Sequence, residues 1–279
     1  MKRLLVLSTL ALLAACKEPK AGEPVVSVNL KEENGEEIIP VPVADETGIA
    51  LAPGPSACSS ASFEGVALTH CLADPAQHTI SAVYGASGAT GAYGTLSTFS
   101  GTVDASTIAL AMNGGAFSDD LSPKGYLVVE GDRLSELDQG DGDGNFYLKP
   151  NGVFFGTDGR WQVLTTQQFV RTVRDRPQFG TQSGPMLLVD GELGGAISEN
   201  GNSRTIRNAV GVDADGKAHF VISNAPISYG QLARFMRDEL SVTDALFLDS
   251  NSSSLWDPVT GRLDDGRTGP ILVVTKKAA

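Results

Sequence analysis

Histidine and cysteine are scarce: the 279-residue chain has three of each. His70, His78 and His219 show neither metal-ligand spacing nor a His-Glu-x-x-His pattern, so the usual sequence grounds for a zinc hydrolase are missing and no metal site is assigned. Positive charge is short as well, with 21 Lys and Arg against 33 Asp and Glu and a formal net charge of -12. Binding to a phosphate backbone needs a basic patch, so nucleic acid is excluded as the expected partner. A long apolar run is lacking too. The most apolar stretch, Leu4 to Leu13, is half of the roughly 20 residues that a bilayer-spanning helix requires. Ser183 has no Gly-x-Ser-x-Gly frame, because Thr181 replaces the first glycine. Asp141-Gly-Asp143-Gly-Asn145 hints at a calcium loop, but Phe146 stands where the loop needs glycine, and the segment reads as a solvated turn. There is no internal repeat.

The N-terminus does carry a signal. Lys2 and Arg3 precede the apolar run, and Ala14-Ala15 precede Cys16, which are the parts of a secretory signal peptide. Leu13-Ala14-Ala15-Cys16 also has the form of a lipobox, so residues 1–15 are expected to be removed and Cys16 to be acylated. Several acyl chains hold a protein to a membrane stably, each buried CH₂ contributing about 0.8 kcal/mol. The expected location is therefore the cell envelope, and Lys17 after the cysteine points to the outer membrane, facing the periplasm. Cys58 and Cys71 remain as an even pair in a compartment that permits disulfides; they form either a bridge or two buried thiols.

Residues 16–56 mix acids with Pro19, Pro24, Pro40, Pro42, Pro53 and Pro55 and hold no aromatic residue. Such a composition buries too little apolar surface to offset ordering and reads as a lipidated, disordered linker. The exception within it is Val25-Val26-Ser27-Val28, which could pair as a strand. From residue 57 to 279 the chain is long enough for one sizeable core. Nine short apolar runs there read as strands: Ile80–Tyr84, Ile108–Met112, Tyr126–Val129, Gly152–Phe155, Met186–Val189, Ala209–Val212, His219–Ile222, Ala245–Leu248 and Ile271–Val274. Asp158-Gly159 and Asp190-Gly191 suit hairpin turns. Capping boxes at Thr165–Gln168 and Ser228–Gln231 open two helices. The expected fold is α+β, a sheet-dominated single domain with a few flanking helices.

Three polar clusters adjoin these runs: Asn113-Gly114-Gly115, Thr181-Gln182-Ser183-Gly184-Pro185 and Asp249 to Ser254. The glycines permit positive φ and close approach to a ligand. Arg207, just before the run Ala209–Val212, suits either a forked grip on phosphate or a structural ion pair. Taken in order, Asn113-Gly-Gly-Ala-Phe117, Ser122-Pro123-x-Gly125, Gly144-Asn145-Phe146 with Lys149-Pro-Asn-Gly-Val-Phe154, Gln182-Ser-Gly-Pro-Met-Leu187, Arg207-Asn-x-Val-Gly-Val212 and Leu248-Asp249-x₃-Ser253-Ser254 resemble the phosphodiester glycosidase family. The resemblance implies hydrolysis of a sugar-1-phosphodiester, with Asn113, Ser183, Arg207 and Asp249 in one catalytic pocket and Asp120 as a second carboxylate. Gly114, Gly115, Gln182, Asn208 and Ser253 would line the substrate, and no cofactor is implied. One departure stands out: Ser250 and Asn251 follow Asp249 where the family usually has glycine. It favours the alternative, a glycan-binding or structural envelope lipoprotein without turnover.

Overall fold

A computed structural model describes residues 55–85, 91–249 and 252–278. The expected signal peptide, Cys16, the linker up to residue 54, and Ser250 and Asn251 lie outside the described residues.

All nine apolar runs are strands, within a residue or two at their ends. Three antiparallel sheets hold nearly all strands. The largest runs in the spatial order Cys58–Phe63, Val66–Ala73, Ala218–Ser223, Asn208–Val212, Asp244–Asp249, Met186–Val189, Glu192–Leu193. A second sheet orders Asp132–Ser135, Leu127–Val129, Phe179–Ser183, Gly152–Thr157, Arg160–Thr165. The third orders Arg262–Leu263, Leu255–Asp257, Ile108–Asn113, Ile271–Lys276, His78–Val83.

Side chains alternate along a strand, and here both faces are used. Phe154, Val210, Phe220, Leu246, Leu248 and Leu272 point from the three sheets into one shared core. Their neighbours point outward, each sheet's outer face against its own helix. Ala209, Val221, Ala245 and Phe247 meet Leu232 and Met236 of the helical segment from Tyr229–Arg234 through its π-turn, Phe235–Glu239. Ile108, Ala111, Ile271 and Val273 meet Leu96 and Phe99 of helix Leu96–Ser100. Val128, Val153 and Phe155 meet Phe169 of helix Thr166–Thr172. Burial on both faces is why these strands read as continuous apolar runs.

The hairpins follow local chemistry. Glu64-Gly65, Glu130-Gly131, Asp158-Gly159 and Asp190-Gly191 each place both residues at positive φ, the conformation of a type I′ turn. Thr165 and Gln168 form a reciprocal capping box. The Ser228 box is only half present: Ser228 accepts from the Gln231 backbone N–H, while the Gln231 amide is drawn away to Phe63 O and Glu64 O.

Cys58 and Cys71 face each other across the first hairpin and are disulfide-bonded, closing a sequence separation of 13. A link of that span removes chain entropy from the unfolded state, about 3 kcal/mol. A Cys58→Ser, Cys71→Ser double variant should lose about that much in urea unfolding; equal midpoints with the unreduced wild type would contradict it.

Beside this hairpin, His70 Nε2 and His219 Nδ1 lie 3.0 Å apart, and His219 Nε2 is 3.1 Å from Asp213 Oδ2. Burial, and then the charge of His219, lower the His70 pKa from 6.5 to about 4. Between those values the unfolded chain binds the proton and the native one does not, so this contribution is full above pH 6.5 and is lost as pH falls towards 4. The loss is on the order of 1 kcal/mol. Urea unfolding across that range should show a slope that His70→Asn flattens; an unchanged slope would count against this assignment.

Candidate functional site

The site begins where strands of two sheets end side by side. Asn113 closes the central strand of the third sheet, and Asn208 opens a central strand of the first. Both side chains are fully buried, and Asn208 Nδ2 donates to Asn113 Oδ1 at 2.7 Å. Asn113 Oδ1 also accepts from the Ser254 backbone N–H at 2.8 Å. Asn208 Oδ1 accepts from the Asp249 N–H at 3.0 Å. The two amides thus clamp the ends of the Asp249–Ser254 segment. Ser252 donates to Asp249 Oδ2 at 2.7 Å, Ser253 donates to Asp249 O at 2.6 Å, and Ser183 donates to Leu248 O at 2.8 Å. Asn113, Ser183, Asn208, Asp249 and Ser253 therefore converge.

Asp249 and Ser252 form part of the wall of a cleft of ≈ 390 Å³. Its other walls bring Phe117, an aromatic surface, and two cations, Lys124 and Arg267. Ser118, Asp119, Asp143 and Asn145 complete the polar lining. A carboxylate, two cations and an aromatic face can together hold a sugar ring and a phosphate.

Several expectations are corrected by the geometry. Asp120 does not line the cleft: its carboxylate accepts from the Ser122 N–H and hydroxyl in a solvent-exposed turn, and this capping lowers its pKa. The neighbouring Asp119 reaches the cleft instead. Gln182 is not available to a substrate, because Oε1 accepts from Tyr126 N–H and Asp138 N–H while Nε2 donates to Asp138 O and Thr166 Oγ1. Gly114 and Gly115 have no positive φ. Their close approach is to the protein itself, to Pro270, to the Thr181 hydroxyl and to the Gln182 backbone. The turn Asp141–Asn145 is exposed, yet Asp143, Gly144 and Asn145 stand on the cleft wall.

Arg207 is the largest difference. Its side chain lies on the helix-covered face of its sheet, 2% exposed, and does not line the Asp249 cleft. Asn208, the next residue, points the other way, as strand alternation requires. The guanidinium donates to Ile227 O and to Ser203, and stacks 3.6 Å from the Tyr229 ring centroid. Among the described residues no carboxylate pairs with it. Burial lowers its pKa. Burial raises that of Tyr229, with the Arg207 charge opposing and the Asp249 charge adding to the rise. Tyr229 thus sits within the electrostatic reach of both. Among the described residues, the buried side-chain polar atoms without a hydrogen-bond partner are Asn113 Nδ2, beside Asn208, and the Tyr229 hydroxyl, beside Arg207. Buried orphans are rare in native proteins. Tyr229, Lys124 and Arg267 were not singled out from sequence; Lys124 follows the Ser122-Pro123 motif, but Arg267 has no local signal.

Fold and cleft together define a sheet-built scaffold with its polar site at the strand ends. The chain belongs to the phosphodiester glycosidase family, whose family model matches residues 106–267. It is 32% identical over 149 residues to the uncharacterized protein YigE of Escherichia coli K12, an alignment covering 53% of this chain and 58% of that protein, so the chain spans less than two thirds of that relative. Its fold is similar to the catalytic domain of zebrafish N-acetylglucosamine-1-phosphodiester alpha-N-acetylglucosaminidase, with a TM-score of 0.55, 16% identity and coverage of 79% of this chain and 82% of the other. A hypothetical protein from Synechocystis shares the fold with a TM-score of 0.51 and 15% identity, over 79% of this chain and 61% of the other.

Proposed function

We propose that this protein hydrolyses a sugar-1-phosphodiester in the cell envelope, cleaving the bond between the anomeric carbon and phosphate oxygen. The observation that carries the reading is one cleft lined together by Asp249, which is held through Asn208 and Ser252, and by Lys124 and Arg267. A phosphate monoester leaves readily, so the demand falls on neutralising its charge and on stabilising positive charge at the anomeric carbon. Lys124 and Arg267 serve the first need, and Asp249 serves the second as base, nucleophile or electrostatic stabiliser. Phe117 offers its ring to a sugar face. Arg207 acts at one remove, its guanidinium fixing the Tyr229 ring. The decisive experiment is a panel of nucleotide-sugars and sugar-1-phosphodiesters incubated with the purified protein. Release of free sugar and phosphate monoester supports hydrolysis; binding of these compounds without turnover supports the glycan-binding alternative.

The envelope location rests on the lipobox at Leu13–Cys16. Cys16→Ser should leave the protein either unprocessed or soluble, without lipid. Labelling of the wild type by a fatty-acid precursor, lost in the variant, is the expected readout, and a wild type free of lipid would overturn it.

A further inference from the structure

A second cleft, of ≈ 480 Å³, lies beside the loop that helps to wall the first. The loop contributes Gln139 and Asp141 to this cleft, and Asp143, Gly144 and Asn145 to the Asp249 cleft. It is held from several sides. Tyr147 donates to Asp138 Oδ2 at 3.0 Å, Lys149 Nζ donates to Gly140 O at 2.6 Å, and Gln182 bonds both the N–H and the O of Asp138. A side chain at Gly142 would collide with the Tyr147 ring, so the loop lies flat against it.

The floor of the second cleft is polar and buried. Asn151, 2% exposed, spends Nδ2 on Phe146 O, and among the described residues nothing donates to its Oδ1. Thr166, also buried, accepts from Gln182 Nε2, which leaves its hydroxyl proton free to be donated. Above this floor stand the exposed amides of Gln139 and Gln167. The charges here cancel: Lys149 Nζ is 3.9 Å from Asp141 and is already bonded to Gly140 O. An anion therefore finds no spare cation. A floor with one acceptor and one donor, rimmed by two amides, matches the alternating donors and acceptors of a sugar's hydroxyls.

We propose that this cleft is a saccharide subsite, taking a neutral sugar unit of a glycan whose phosphodiester lies in the Asp249 cleft. Its ligand class rests on the sugar-phosphodiester reading of that cleft, and its occupancy is measured apart from turnover. The substrate is then a sugar-phosphodiester that carries at least one further sugar.

The test uses the full chain and two neutral probes, chitotriose and maltotriose, with binding followed by calorimetry and by NMR shifts. At least one probe should bind, shifting the signals of Asn151 and Thr166. Gln139→Ala, Gln167→Ala should weaken it about tenfold, since two exposed hydrogen-bonding side chains are lost. The same variant should keep the wild-type melting temperature, and Asp249→Asn should leave trisaccharide binding intact. Absence of binding by both probes, indifference to the double variant, or loss of binding in Asp249→Asn alone would overturn the subsite. Trisaccharide binding at Asn151 and Thr166 without turnover of any sugar-1-phosphodiester would uphold the subsite while removing the catalytic reading.

Discussion

Asp249→Asn should lower turnover of a sugar-1-phosphodiester by two or more orders of magnitude, a rise in barrier of about 2.7 kcal/mol or more. The substitution conserves volume, and the asparagine Oδ1 can still accept from Ser252, whose hydroxyl reaches Asp249 Oδ2 at 2.7 Å. The backbone clamp through Asn208 is untouched, because it uses the Asp249 N–H. What disappears is the negative charge in a cleft that Lys124 and Arg267 also line. Folding should therefore change little while kcat falls, and a variant that keeps more than a tenth of wild-type kcat would remove Asp249 from the chemistry. Substrate affinity gives a second reading: Lys124 and Arg267, the cations proposed to hold the phosphate, are unchanged, so KM should move far less than kcat.

Gly115→Ala should be strongly destabilising although it adds a single methyl group. A Cβ at this position would press on the Gln182 backbone oxygen and on Thr181 Oγ1, well inside van der Waals contact. Neither can yield easily. Thr181 Oγ1 already accepts from the Gly115 N–H at 2.9 Å, and Gln182 is locked by four side-chain hydrogen bonds. Overpacking of this kind costs about 3 kcal/mol, which in a domain of this size lowers Tm by roughly 6–12 °C. A control at Gly131, where an added Cβ meets nothing within 4 Å, should show only the smaller penalty of its positive φ. Equal melting temperatures for Gly115→Ala and the wild type would refute the account.

How much of this was legible in the sequence depended on how each strand is buried. Strands covered on both faces, such as Ile108–Asn113 and Asp244–Asp249, announce themselves as apolar runs. Two edge strands do not: Cys58–Phe63 carries serines on its half-exposed faces, and Arg160–Thr165 alternates exposed and buried residues. Phe179–Ser183 was hidden for a different reason. Its Thr181, Gln182 and Ser183 are all buried, but their polar groups are satisfied within the fold. Glu64-Gly65 and Glu130-Gly131 were missed as turns because glutamate at positive φ is uncommon.

The candidate site divides in the same way. Asn113, Asn208 and Asp249 could be found because each adjoins the end of a recognisable run, and Ser183 because its polar cluster precedes the run Met186–Val189. Lys124 and Asp143 lie on loops and Arg267 on the two-residue strand Arg267–Thr268, and only tertiary packing brings them to one cleft. Arg207 shows the limit of arguing from residue type. An arginine beside a buried strand suits phosphate, but a single step along the chain decides which face of the sheet it serves.

The paired amides of Asn113 and Asn208 have a consequence for how the protein matures. They join positions 95 residues apart, and the Ser254 bond to Asn113 spans 141. Contacts of such separation form slowly, because chain closure must precede them. Each sheet can hold its own hairpins beforehand, but the wall bearing Asp249 exists only once the first and third sheets have docked. A chain still being assembled carries its carboxylate, cations and aromatic face scattered over separate segments. Competence thus arrives with the last long-range junction, and an incompletely folded molecule presents no cleft.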